Sequence, residues 1–214
     1  PPPFQMPPAP DLNVRSCLSM RIDITSNTET PSDLGLDEMC FFIKAPFATA
    51  TSLYELILNQ SLGIAIGAHA NDANATRLPL KNLMPVGFEN ETAVLPFPKR
   101  SFPGFRILTE FFTLPEKFLF FRLTGLRPAL EKISGKSFQI FFYLHASADK
   151  LIKTVDINTF DLHCTPVINL FPQRAEPIQI DQSSHEYDIV PDSRRNNTRE
   201  IYSVVDVDVC AADG

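Results

Sequence analysis

The 214-residue chain is 44% hydrophobic and 21% charged, a balance that excludes a disordered tail and suits a folded core. Its net charge of −6 argues against a general nucleic-acid binder, because few phosphate counterions could be released on contact. The longest apolar runs, such as Phe118–Leu123 and Ile140–Leu144, fall far short of the roughly 20 residues that a membrane-crossing helix needs.

The text opens Pro-Pro-Pro-Phe, without an initiator Met or a signal-peptide pattern, and stops just after a strand-like run. It reads as an excised piece of a longer protein. Residues 1–10 form a proline-rich lead-in, expected to be extended and poorly ordered. In Leu12–Ser26, Leu18, Met20, Ile22 and Ile24 alternate with Cys17, Ser19, Arg21, Asp23 and Thr25, the pattern of a half-buried strand. Asn27–Leu36 is loop by composition, and Glu38–Ala45 suits a buried strand. Ser52-Leu-Tyr-Glu55 resembles a capping box that starts an amphipathic helix, with a stop near Leu62-Gly63 and a return to strand at Ile64 and Ile66. Ala70–Arg77 reads as a turn.

Pro96-Phe-Pro98 interrupts the pattern and marks the expected boundary between two lobes. Ser101 is placed to cap a helix that begins near Pro103 and ends before Pro115. Phe105, Leu108, Phe111 and Phe112 share one face of that helix, which is expected to lie against the following strand, Lys117–Leu123; Arg106 and Glu110 lie elsewhere. On this reading Phe112 is a core ring. Arg127–Ile133 is a short helix or turn. Ser137–Ser147 is apolar or aromatic on both faces and is expected to be a central strand covered on both sides. Further short strands are expected at Val155–Phe160, Cys164–Leu170, Glu176–Asp181, His185–Val190 and Glu200–Val209.

The expected fold class is α+β and β-dominated, with mixed or antiparallel sheets and two or three short helices. The expected division is a lead-in 1–10, a first β-rich lobe 11–95 with a covering helix, a second β-rich lobe 96–209 and a tail 210–214.

Residues with chemical potential do not assemble into a motif. Cys17, Cys40, Cys164 and Cys210 are scattered without a C-x-x-C pair; they fit small buried thiols in a reducing compartment, with two disulfides or a metal site as the alternatives. His163-Cys164 lacks the setting of an activated thiol. His185-Glu186 is half of a zincin motif, but the second His would fall at Ile189. Asp206-Val-Asp208 puts two carboxylates on one strand face, which suits solvent better than a cation. Phosphate-loop, dinucleotide and nucleophile-elbow patterns do not occur. No catalytic residue, cofactor or metal is therefore assigned. Arg194, Arg195 and Arg199, with His185 and Glu186 just upstream, are the candidate partner contacts, set against a plainly solvated loop.

Several stretches carry a family resemblance. Ser101–Phe121 (SFPGFRILTEFFTLPEKFLFF), Cys164–Phe171 (CTPVINLF) followed by Ala175–Ile178, His185–Asp192 (HEYDIVPD), Glu200–Val204 (EIYSV) and Leu83–Phe88 (LMPVGF) resemble, in order, the signature segments of the type VI secretion baseplate family TssF, also called VasA or ImpG. The family pattern has Tyr at the positions of Phe105 and Phe111. Ser52–Leu58 fits more loosely. The resemblance implies a middle portion of a longer structural subunit of a cytoplasmic, phage-tail-like baseplate. It implies TssG-like and TssK-like partners, a second TssF-like copy, a VgrG-type hub and the contractile sheath, with no catalysis, no cofactor, no nucleic acid and no membrane insertion. The competing expectations are a β-sandwich module that binds carbohydrate or protein, and a hydrolase whose site is split with absent regions.

Overall fold

Strand β7 (Ser137–Leu144) is apolar on both faces, and the architecture follows from covering both. The computed structural model describes residues 5–98, 100–149, 151–195 and 198–209. Expectations for residues 1–4, Cys210 and the 210–214 tail lie outside the described residues. The chain divides between Pro166 and Val167 into two compact units.

The first unit carries, in order, β1 (Ser16–Asp23), β2 (Glu38–Ile43), α1 (Phe47–Asn59), β3 (Ser61–Gly67), β4 (Thr76–Leu78), β5 (Leu83–Val86), α2 (Pro103–Thr113), β6 (Phe120–Thr124), α3 (Arg127–Leu130), β7 and β8 (Phe160–Leu162). Two four-stranded sheets run β1-β7-β3-β4 and β5-β6-β2-β8, with every described pairing antiparallel. Strand makes up 22% and helix 19%, so the α+β class holds.

In the first sheet β7 is central, with Phe142 opposite Leu18 of β1 and Ile64 of β3. Phe138, Ile140, Phe142 and Leu144 enter the main core, where they meet Met20, Ile66 and the α1 side chains Leu53, Leu56 and Ile57. Phe121 of β6 joins the sheets: it stacks on Phe41 at 5.2 Å and meets Phe142 edge-on at 6.0 Å. Burying rings of this size is the main apolar contribution to such a core.

The other face of β7 presents Phe141 and Tyr143, and the lead-in covers them. Ala9 is buried against these rings with Met6 and Leu12 beside it, and the Tyr143 hydroxyl donates to the Pro7 carbonyl at 3.2 Å. Arg77 clamps the segment by pairing with Asp11 at 2.6 Å and donating to the Pro8 carbonyl. The described part of the lead-in is thus ordered, contrary to expectation, because β7 needs a lid.

Other expectations are corrected by the geometry. Helix α1 begins at Phe47, and the Ser52 hydroxyl, instead of capping, turns back to the Ala48 carbonyl at 2.8 Å. Ser101 makes no cap either; Phe102 occupies the N-cap of α2, with Pro103 in the first turn. The sheets ignore a boundary at Pro96–Pro98, since β7 pairs with β1 and β3 while β6 pairs with β2 and β5. A strand adopts whichever partner edge satisfies its backbone, whatever its distance in sequence.

The largest correction concerns α2. Its buried residues are Arg106 and Glu110, while Phe105 is 67% and Phe112 82% exposed. The notion of Phe112 as a core ring is therefore reversed. Phe121→Ala should cost about 3–5 kcal/mol by thermal or denaturant melt, whereas Phe112→Ala should stay within about 0.5 kcal/mol in the isolated chain. Equal losses from the two variants would contradict the faces assigned here.

Candidate interaction surface

Helix α2 is held inside out by one carboxylate. Arg106 and Glu110 are four residues apart and so lie on the same helical face, which turns toward residues 87–95. Glu110 Oε2 accepts from Arg106 Nη1 at 2.8 Å and from Lys117 Nζ, and Glu110 Oε1 accepts from the N–H groups of Val94 at 2.9 Å and Leu95 at 3.1 Å. Four donors occupy the roughly four lone-pair sites that a carboxylate offers. All three charged side chains are essentially buried, at 1% exposure or less.

Backbone carbonyls take further donors of both cations, while the buried Arg106 Nε has no hydrogen-bond partner among the described residues. Arg106 Nη2 donates to the carbonyls of Phe88 at 3.0 Å and Glu89 at 3.3 Å, and its guanidinium lies 5.1 Å from the centre of the Phe97 ring. Lys117, in the turn Pro115–Phe118 that follows the helix, donates to the Gly87 carbonyl at 2.8 Å and sits over the Phe118 ring. Gly87 has φ +109°, and a Cβ there would stand 2.7 Å from the Lys117 carbonyl oxygen. Only glycine permits that approach.

The opposite face of α2 is left apolar and open. Phe105, Leu108 and Phe112 point outward, Phe102 at the N-cap meets Phe105 edge-on at 5.8 Å, and Phe111 packs at 5.8 Å against Phe118. The sequence shows this face but not its direction, since a moment alone says which residues cluster and not which way they turn. The signal that could have reversed the reading was the Arg106–Glu110–Lys117 charge set, too regular for a casual surface.

The second unit supplies the remaining candidates. Its described residues form no strand and no α-helix, so the four strands expected between Cys164 and Val209 are not formed. Local polar contacts shape it. Glu176 N–H donates to the Val190 carbonyl at 2.9 Å, and the Glu176 carboxylate accepts from the Ser193 hydroxyl at 2.9 Å. The Ser183 N–H and hydroxyl and the Tyr187 hydroxyl hold the Asp181 carboxyl down to about 2, closing the loop that presents His185 and Glu186 to solvent. Arg194 and Arg195 are exposed, whereas Arg199 is turned inward, donating to Gln173, lying 3.7 Å from Asp192 and resting over the Phe171 ring. The five residues share one unit, but among the described residues no hydrogen bond or ion pair joins His185 and Glu186 to the arginines.

Among the described residues no group of three or more His, Cys, Asp or Glu side chains is placed to hold a metal, and no helix is long and apolar enough to cross a membrane. Cys17, Cys40 and Cys164 are free thiols, and burial pushes Cys17 up to about 12. A thiol so raised is not a nucleophile at neutral pH.

Two four-stranded antiparallel sheets and a helix with an exposed aromatic face make the first unit an α+β module. The chain belongs to the family described as "Type VI secretion system, TssF", whose profile matches residues 1–214. It is 32% identical over 194 residues to type VI secretion system component TssF1 of Pseudomonas aeruginosa, covering 90% of this chain and 31% of that protein. It also superposes with a TM-score of 0.65 and 26% identity on a chain of the solved TssK-TssF-TssG baseplate subcomplex, over 88% of this chain and 35% of that one. The chain thus spans about a third of the length of the relatives it matches. Nothing among these likenesses supports the carbohydrate-binding alternative.

Burial opposes ionisation of Glu110, yet the Lys117 contact and the Val94 and Leu95 N–H groups outweigh it and hold the carboxyl below its ordinary value. Its stabilising contribution is complete above the unfolded glutamate value of about 4.3 and is lost as pH falls below that toward the depressed folded value. Glu110→Gln, which leaves two buried cations without their counter-charge, should cost about 3–5 kcal/mol near neutral pH. The gap between wild type and variant in urea melts should narrow as pH drops through that window; a constant gap would contradict the buried ionised carboxylate.

Proposed function

We propose that this chain is part of a structural subunit of the type VI secretion baseplate that assembles with TssG-type and TssK-type subunits. The superposition over 88% of the chain on a member of the TssK-TssF-TssG subcomplex carries the reading. In this account the subunit works on the cytoplasmic side, within a wedge that holds a second TssF-type copy, surrounds a VgrG-type hub and supports the sheath. It performs no chemical step. Its task is mechanical, and the two sheets locked by Phe41, Phe121 and Phe142 suit a part that must hold surfaces at fixed angles.

Arg194 and Arg195, with His185 and Glu186 on the neighbouring loop, are the proposed polar contacts to a partner; Arg199 serves them indirectly by bracing Phe171 and Asp192. Charged groups at the rim of an interface act on association rate and selectivity more than on core affinity. The chain, co-expressed with the TssG-type and TssK-type subunits of its own host, should co-purify with them. The double variant Arg194→Glu, Arg195→Glu should capture less partner, more so at low salt, with an unchanged melting temperature. Wild-type capture that the reversal leaves untouched removes these residues from the interface, and absence of capture by wild type removes the assembly reading.

A further inference from the structure

The proline-rich lead-in lies on the first sheet as a ligand lies in a groove. Pro7 and Ala9 are buried while Pro8 and Pro10 are exposed, so alternate residues enter. Pro7, Pro8 and Pro10 have fixed φ, and Met6, Pro7 and Ala9, each preceding a proline, are pushed toward extended backbone. Such a segment arrives nearly preformed and short of N–H donors, so it is recognised through its carbonyls and apolar surface. The groove is built to that need. Ala65 of β3 is paired with Arg77 on one side and Phe141 on the other, and Gly63 is paired with Tyr143. Two small residues of β3 thus form a trough between a guanidinium and two rings. The Tyr143 hydroxyl donates to the Pro7 carbonyl at 3.2 Å, and Arg77 Nη2 donates to the Pro8 carbonyl at 3.2 Å. At the far end the Leu12 N–H donates to the Ala9 carbonyl at 3.1 Å, closing a turn with Pro10 at its second position. That turn brings both Asp11 carboxylate oxygens to Arg77 Nη1, at 2.6 and 2.8 Å. It also lays Leu12 on Gly63, where a Cβ would stand 3.0 Å from Leu12 Cδ1.

Two features set this contact apart from strand packing. Among the described residues, 5–11 make no backbone–backbone bond to any strand, so the side chains of Arg77 and Tyr143 hold the polar part of the segment. Beside Leu12 the groove runs on into a cavity of about 190 Å³, lined by Leu62, Leu78 and Leu80, which the lead-in leaves open. We propose that the sheet face around Arg77, Gly63 and Tyr143 is a binding groove for an extended proline-rich segment that ends in an acidic and an apolar residue. Residues 6–12 are its ligand in cis, and the groove takes the same segment from a second copy of the chain when its own is displaced. The order Pro-Pro-Ala-Pro-Asp-Leu sets the selectivity: a small residue for the buried Ala9 seat, a carboxylate for Arg77 and a leucine for Gly63. The groove stands independently of the assembly reading above.

A fluorescein-labelled peptide of residues 5–14, titrated with the full chain and read by anisotropy, tests the groove. Wild type, with its groove filled, should bind weakly. The double variant Ala9→Asp, Asp11→Asn, which unseats the lead-in, should bind the peptide one to one and at least about tenfold more tightly, because its groove is free. Asp11→Asn alone, which only loosens the clamp, should fall between the two. Peptides carrying Ala9→Asp or Asp11→Asn should bind the unseated chain at least about tenfold more weakly, and so should the normal peptide once Arg77→Ala is added to that chain. Equal binding to wild type and the unseated chain overturns the inference, as does an unseated chain that melts cooperatively yet binds no peptide. Binding that ignores both peptide substitutions places the peptide elsewhere and overturns it too. If the double variant loses its cooperative melt, the Asp11→Asn chain decides: peptide binding tighter than wild type sustains the groove, and binding no tighter makes the lead-in an ordinary part of the core. None of these outcomes touches the assembly reading.

Discussion

One buried carboxylate decides what this chain shows to the outside. Glu110 gathers Arg106, Lys117 and the N–H groups of Val94 and Leu95, and in doing so binds α2, the turn after it and the 87–95 segment into one piece. Removing three charged groups from water is costly, and such clusters are weak evidence for stability in themselves. Their effect here is orientation. A helix with aromatic residues on one side would by default turn that side inward, and the ion cluster is what keeps Phe105, Leu108 and Phe112 in solvent. Gly87 belongs to the same device, because its lack of a side chain lets the Lys117 backbone close over it.

The sheets supply the rigid base. Strand β7 lies between β1 and β3 and carries large rings on both faces, so it requires a core on one side and a cover on the other. The core is shared with the second sheet through Phe121, and the cover is the lead-in held by Arg77 and Tyr143. The second unit is built differently: its described residues form no strand or α-helix, and local polar contacts such as those of Asp181 and Glu176 shape it.

Much of this was legible in the sequence, and the failures share a cause. Alternation at Leu18–Ile22 and Phe138–Leu144 identified β1 and β7, and the two-faced text of β7 identified its central place, because strand period reads directly as burial. The helix from Pro103 was placed correctly since proline marks its first turn and Pro115 its end. What misled was the assumption that apolar residues face inward: it inverted α2 and produced four strands after Cys164. Pattern reports what a segment wants to bury, whereas structure reports what the available chain can offer it. The partner candidates Arg194, Arg195, His185 and Glu186 were visible as exposed polar text, but the ion cluster, built from residues spread over 87–117, was not, because it exists only once the loop and helix meet.

The central claim is that α2 presents its aromatic face to solvent while its charged face is buried. Hydroxyl-radical footprinting of the isolated chain, read residue by residue, measures it. Phe105, Leu108 and Phe112 should be oxidised readily, while Phe121 and Phe142 stay protected. Protection of Phe105 and Phe112 at the level of Phe121 would mean that the helix turns the other way, and the account of the Glu110 cluster would fall with it.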